Sequence, residues 1–159
     1  AFGYYKKYYN PQSRLILVGT CGGMERYQSQ LETYADRLGV QDVIYPGHIS
    51  FQEILAYYRC ADLFLCQSEH EGFGVPLVEA MTFGVPIIAY DSSAVGETLG
   101  GAGLLMETKN PLETAAVMNR VMTDRRLRER MVENGYERLK DFDNQEIARK
   151  FIEYIRRAG

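Results

Sequence analysis

The stretch from Gln67 to Glu79 (QSEHEGFGVPLVE) concentrates residue types that bind a polar ligand. Gly72 and Gly74 let the backbone approach a ligand closely. Pro76 suits the first turn of a helix, where its missing N–H costs nothing. The amides of Phe73, Gly74 and Val75 would then point out of a helix N-terminus, a setting that favours phosphate and sugar oxygens. Glu71 lies just before this turn, and Glu79 lies about one helical turn inside it. A carboxylate can accept from both hydroxyls of a vicinal diol. Two carboxylates flanking an anion-friendly loop suit a ligand with two diols around a phosphate. A nucleotide sugar, with ribose, diphosphate and hexose, has that layout.

The elements around this stretch alternate. Arg14–Gly19 reads as a strand buried on both faces, and Asp42–Tyr45, Asp62–Cys66, Pro86–Tyr90 and Gly103–Met106 read similarly. Continuous apolar runs of this length suit central parallel strands. Helix starts are marked between them. Ser50 with Glu53 makes a capping box. Asn110 precedes Pro111, and Asp143 with Glu146 repeats the capping logic. From Met24 to Leu38, residues Tyr27, Leu31, Tyr34, Ala35 and Leu38 fall on one helical face, and Gly39 ends it. Beyond Met106 the pattern predicts three helices and no further strand. The fold class is therefore α/β: a Rossmann-like open parallel sheet with helices on both faces, followed by C-terminal helices. Ligands of such sheets bind beyond the carboxyl ends of the strands, and Gln67 follows the third strand.

Bulk properties exclude several classes. The 159 residues allow one domain with a real core. A net charge of −3 and a pI of about 5.5 do not advertise nucleic-acid binding. The basic run Arg125, Arg126, Arg128 and Arg130 is interleaved with Asp124, Glu129 and Glu133, as on a solvated helix face. No apolar run approaches the ~20 residues that span a bilayer, and no secretory signal opens the chain. Cys21, Cys60 and Cys66 form no C-x-x-C, which argues against a zinc site or disulfide framework. Cys60 and Cys66 read as buried, reduced thiols, implying a cytoplasmic protein. With His48 and His70 as the two histidines, no His-based metal site is expected. Asp141-Phe142-Asp143 has the D-x-D form of metal-dependent transferases of another fold, but Asp143 is better explained as an N-cap. Gly19, Gly22 and Gly23 lack dinucleotide-loop spacing and read as a tight turn. Tyr4, Tyr5, Tyr8 and Tyr9 are spaced for packing or for a covered surface. His70 reads equally as a base or as a solvent-exposed loop residue.

The block E-G-F-G-V-P-L-V-E-A at Glu71–Ala80 resembles the signature of retaining, metal-independent GT-B glycosyltransferases of the family 4 type (glycosyl transferases group 1). Leu15–Gly19 resembles that family's L-x-x-V-G strand. Tyr45–Ser50 resembles its x-x-G-x-V-S turn. Asp91–Glu97 and Gly100–Leu105 resemble its P-E-V-V and G-x-G-L-L segments, except that Gly96 replaces the proline before Glu97. The match covers the C-terminal, donor-binding domain. It implies that Glu71 hydrogen-bonds the transferred sugar in the catalytic position. Phe73, Gly74 and Val75 would offer amides to hydroxyls and phosphate, and Glu79 would bind the ribose diol. Leu77 would pack near the ribose, and Ser68 would sit at the phosphate edge. His48 and Ile49 would lie at the nucleobase, His48 through its backbone. The donor would be a UDP-, GDP- or ADP-linked hexose, with no metal or other cofactor.

The resemblance also implies what lies outside these residues. The domain's first strand and its loop, which carries an Arg and a Lys for the departing diphosphate, have no counterpart here. Neither does the acceptor-binding N-terminal domain. Lys6 and Lys7 match the following helix and are not candidates for that pair. Residues 1–159 thus read as a single nucleotide-sugar-binding domain, truncated at its N-terminus and inactive alone. The missing strand would lie mid-sheet, between Leu15–Gly19 and Asp62–Cys66, leaving two edges open to closure or to self-association. The full-length enzyme would be cytoplasmic or peripheral to a membrane. The alternatives are a non-catalytic nucleotide or nucleotide-sugar binding module and, on the same fold, an epimerase, for which no acid/base set is evident.

Overall fold

The structure, a computed structural model, describes residues 1–19, 25–143 and 147. These fall into two compact units: Ala1–Cys60 with Asn110–Arg120, and Ala61–Lys109 with Val121–Gly159.

In the first unit, α1 (Phe2–Tyr8) leads to β1 (Leu15–Ile16), α2 (Glu25–Arg37), β2 (Val43–Ile44) and α3 (Phe51–Cys60). β1 and β2 pair in parallel, Leu15 with Val43 and Ile16 with Ile44. Phe2 and Tyr5 of α1 are buried. Lys6 ties this helix to the strands: its Nζ donates to Pro11 O at 2.7 Å, Ser13 O at 2.9 Å and Asp42 Oδ2 at 2.6 Å. The tyrosines of α1 pack on one another, with Tyr4 and Tyr8 stacked at 6.1 Å. Gly39, at φ 64°, ends α2 as expected. Gly39 N donates to Asp36 O and Val40 N to Ala35 O, the paired bonds of a Schellman motif. Ser50 and Glu53 form the predicted capping box: Ser50 N donates to Glu53 Oε2 at 2.7 Å, and Glu53 N to Ser50 Oγ at 3.3 Å.

Burial departs from expectation in this unit. Ile16, Leu17 and Val18 are all at least 36% exposed, so the first strand is not covered on both faces. On α2, Tyr27, Tyr34 and Leu38 of the predicted packing stripe are exposed as well. Cys60, read as buried, is exposed, and Cys66 is half-buried. The physical reason is topological. A two-stranded sheet offers too little area to cover both faces of an apolar strand and a neighbouring helix.

In the second unit, β3 (Phe64–Cys66), β4 (Ile87–Tyr90) and β5 (Leu104–Met106) form a parallel sheet in that order. Here the central-strand expectation holds: Ile87, Ile88 and Ala89 of β4 are essentially inaccessible. α4 (Val75–Thr82), α5 (Val95–Leu99) and α7 (Arg125–Leu139) complete the unit. Leu77, Ala80 and Met81 of α4 are buried, as are Val95, Thr98 and Leu99 of α5. Each fully buried Leu, Ile or Met side chain contributes roughly 1.5–3 kcal/mol. α7 packs on α4 at Gly135, where a Cβ would meet Met81 Cγ at 3.5 Å, an ordinary van der Waals contact. Asp124 caps α7 by accepting from Leu127 N at 3.0 Å.

α6 (Pro111–Thr123) starts at Asn110, whose Oδ1 accepts from Leu112 N at 3.0 Å and Glu113 N at 3.2 Å. α6 and α7 are two of the three helices expected after Met106. The third, with the Asp143–Glu146 cap, falls largely outside the described residues, as do Cys21 and most of the glycine turn at 19–23. The strands are parallel throughout, as expected, but the described ones form two sheets. Among the described residues β1 pairs with β2 alone and β3 with β4 alone, so each keeps one edge unpaired. No helix among the described residues is long and apolar enough to cross a membrane.

Candidate donor-binding site

The site is built at the carboxyl end of β3, where the chain turns into α4. Gly74 is the N-cap of α4, at φ 82° and ψ 55°, a left-handed conformation that glycine adopts without strain. Pro76 occupies the first turn. No side chain caps this helix. Among the described residues no acceptor takes the amides of Phe73, Gly74 or Val75. Three donors at a helix N-terminus are thus left for a ligand.

The opposite side of the loop is occupied. The Ser92 hydroxyl donates to Ser68 O at 2.7 Å, and that of Ser93 to Glu69 O at 3.3 Å. Ala94 N donates to Glu71 O at 3.4 Å. The Thr98 hydroxyl donates to Phe73 O. Carbonyls of residues 68, 69, 71 and 73 are therefore held by the β4–α5 connection and by α5, which turns the Gly74 amide, on the same planar peptide as the Phe73 carbonyl, to the opposite side. Leu77, fully buried, packs beneath Gly74.

The sequence-derived candidates distribute as follows. Ser68, Glu71, Phe73, Gly74, Val75, Leu77 and Glu79 share this one strand–loop–helix segment. Glu71 and Glu79 are half-buried, whereas Phe73 and Val75 are exposed. His48 and Ile49 lie in the first unit, on the loop after β2, with Gly47 at φ 72° before them. His70 is exposed. Gln67 Nε2, at the start of the loop, is buried with no acceptor among the described residues.

Electrostatics at this end of the sheet centre on Lys109. Its Nζ lies 3.0 Å from Glu69 Oε1 and 4.7 Å from the centre of the Tyr90 ring. The Lys109 hydrogen bond and charge hold the Glu69 carboxyl below the usual carboxylate range. Among the described residues no group of three or more His, Cys, Asp or Glu side chains could hold a metal ion. In the D-x-D segment, Asp141 pairs with Arg138 at 2.8 Å. Sequence reasoning missed Ser92, Thr98, Lys109 and Arg138. The rule that ligands bind beyond the carboxyl ends of the strands points to the loops after Tyr90 and Met106, which hold Ser92 and Lys109, and the family-like segment Asp91–Glu97 overlaps the first of them.

The family profile for glycosyl transferases group 1 matches residues 1–138. The chain belongs to this family. This group 1 chain is 30% identical over 128 residues to the O-antigen chain mannosyltransferase B of Escherichia coli, covering 80% of this chain and 33% of that protein. It is 31% identical over 130 residues to a D-inositol 3-phosphate glycosyltransferase of Thermobifida fusca, covering 77% of this chain and 30% of that one. The chain thus spans about a third of the length of these curated relatives.

Solved structures agree on the fold. The C-terminal domain of a glycosyl transferase group 1 family protein (LpcC) from Francisella tularensis superposes with a TM-score of 0.71 at 28% identity. That match covers 87% of this chain and 75% of the other. Anabaena HepE in complex with UDP-glucose superposes with a TM-score of 0.78 at 27% identity, over 90% of this chain and 42% of that one. The group 1 chain accordingly has the α/β Rossmann-like fold of GT-B C-terminal domains.

Proposed function

We propose that residues 1–159 form the donor-binding domain of a retaining, metal-independent hexosyltransferase. The observation that carries this reading is the loop before α4. It offers the unpaired amides of Phe73, Gly74 and Val75 between two half-buried carboxylates, Glu71 and Glu79. Phosphate and sugar oxygens would take the amides. Glu79 would accept from the ribose diol and Glu71 from the hexose, with Ser68 at the phosphate edge. Leu77 supports the ribose side by packing under Gly74. The complex of a structural neighbour with UDP-glucose favours UDP as the nucleotide to test first.

This chain alone would hold the donor without transferring its sugar. Transfer needs cationic stabilisation of the leaving diphosphate and an acceptor held in line. Lys6, the most tempting cation of α1, already donates to three protein oxygens. The relatives are about three times longer than the matched region, which leaves room for an acceptor-binding domain.

The test is a thermal-shift panel of UDP, GDP, ADP and their hexose derivatives, with and without chelator. A ligand at 100 times its dissociation constant stabilises by about 2.7 kcal/mol. One nucleotide should raise Tm, its sugar derivative should raise it further, and chelator should change neither. No shift with any member of the panel rules the reading out, and transfer of hexose by the purified chain rules out its inactivity.

A further inference from the structure

Arg138 does not touch the Gly74 turn, yet it closes a ring of contacts around it. Its Nε donates to Thr98 O at 3.0 Å and its Nη2 to Glu97 O at 2.6 Å. These are two of the last carbonyls of α5, left without helical partners, and a guanidinium is well suited to fill them. The same Thr98 donates its hydroxyl to Phe73 O in the donor loop. The guanidinium carbon lies over the Phe142 ring, 4.8 Å from its centre. Phe142 in turn meets Phe73 edge-on, with ring centres 5.4 Å apart and planes at 87°. Asp141 fixes the guanidinium from the side, 2.8 Å from Nη1.

Phe73 is therefore gripped twice from one residue. Through Thr98, Arg138 orients the carbonyl of Phe73. Through Phe142, it supports the ring. The same peptide unit carries the Gly74 N–H, so orienting the Phe73 carbonyl orients that amide too, because the peptide is planar. Gly100 leaves room for the arrangement: a Cβ there would lie 2.6 Å from Arg138 Nε. The flat fork serves two carbonyls and a carboxylate while its cation sits over a ring, a combination lysine cannot reproduce.

We propose that Arg138 is a positioning residue of the donor site: it holds the Phe73–Gly74 peptide in the orientation that aims the loop amides at the nucleotide sugar. The D-x-D segment then has a role without metal, since Asp141 and Phe142 hold Arg138 in place. The proposal rests on the donor-site reading above for its ligand, but not for its geometry.

The test compares wild type with Arg138→Lys, Thr98→Val and Thr98→Ser in the same chain. Amide hydrogen exchange is followed without ligand, and binding of UDP, UDP-glucose, GDP-mannose and ADP-glucose is measured by calorimetry. Arg138→Lys and Thr98→Val should speed exchange of the Leu77 and Ala94 amides, which donate to Gly74 O and Glu71 O of the loop, about tenfold, the scale of one or two lost hydrogen bonds. Ile88 and Ala89 in β4 should exchange as in wild type. Affinity for the sugar nucleotide that binds wild type should fall by about the same factor. Thr98→Ser, which keeps the hydroxyl, should restore both readouts. If Arg138→Lys lowers Tm but leaves loop exchange and donor affinity unchanged, Arg138 merely caps α5 and the proposal is overturned. If wild type binds none of the four nucleotides, the donor reading falls by itself, and loop exchange alone decides the role of Arg138.

Discussion

A Cβ placed on Gly74 would lie 2.8 Å from Leu77 Cδ1, and Leu77 has no room to withdraw because it is fully buried. The turn thus needs glycine twice, for its left-handed φ of 82° and for this contact. A non-glycine residue in that conformation costs roughly 1–2 kcal/mol. Gly74→Ala should lower Tm by several degrees, at about 2–4 °C per kcal/mol for a domain of this size. It should also abolish the nucleotide-induced thermal shift. A variant that keeps that shift would show that the turn does not contact the donor.

The two carboxylates should separate by readout. Glu79→Ala should weaken nucleotide and sugar nucleotide alike, by about 10- to 100-fold for a lost charged hydrogen-bond pair. Glu71→Ala should leave the bare nucleotide almost unaffected and erase the extra affinity of the sugar derivative. Calorimetric titration of both variants with both ligands reads the difference directly. Wild-type affinities in both variants would remove Glu71 and Glu79 from the site.

Asn110 supplies two hydrogen bonds to the start of α6. Asn110→Ala should destabilise by about 1 kcal/mol, a typical loss for an N-cap. Asn110→Asp should recover most of it, since aspartate caps equally well and favours the helix N-terminus. Urea midpoints of the three proteins provide the check, and an unchanged midpoint for the alanine variant would mean that α6 is held by packing alone.

The Lys6–Asp42 pair makes a pH-dependent contribution. The Lys6 hydrogen bond, then its charge, holds the Asp42 carboxyl below its ordinary range. A carboxyl lowered in the folded state stabilises fully above its unfolded pKa, and that stabilisation is lost as pH falls through the folded value. Stability should therefore drop as pH falls below about 4. In Asp42→Asn the drop over this window should be shallower, with lower stability at neutral pH. Asparagine is the apt replacement because residue 42 stands at φ 60°, a conformation it tolerates. The aspartate is half exposed, so the difference is modest, and denaturation curves across the acid range will show it.

The features legible in advance were local ones. The capping box of Ser50 and Glu53, the Asn110–Pro111 start of α6 and the Gly39 stop of α2 are each written within a few residues, and each forms as read. The turn at Gly74 and Pro76 belongs with them. Five strands were legible because their apolar runs are short and bounded by turn residues. Their burial was not. The same apolar character places Ile88 in a sealed interior and leaves Leu17 and Val18 exposed. A strand's cover depends on which elements lie beside it, and no local pattern records that.

By itself, then, the sequence determined the α/β alternation, the helix ends and the family-like block at the turn into α4, because propensities, caps and glycine conformations act over a few residues. Tertiary structure alone decided what holds that loop in shape. Ser92 reaches Ser68 across 24 positions, Thr98 reaches Phe73 across 25, and Arg138 reaches Thr98 across 40. These contacts join residues whose types are unremarkable in isolation. They exist because parallel β3 and β4 bring the loops at their carboxyl ends side by side, and α7 lays a guanidinium against the end of α5.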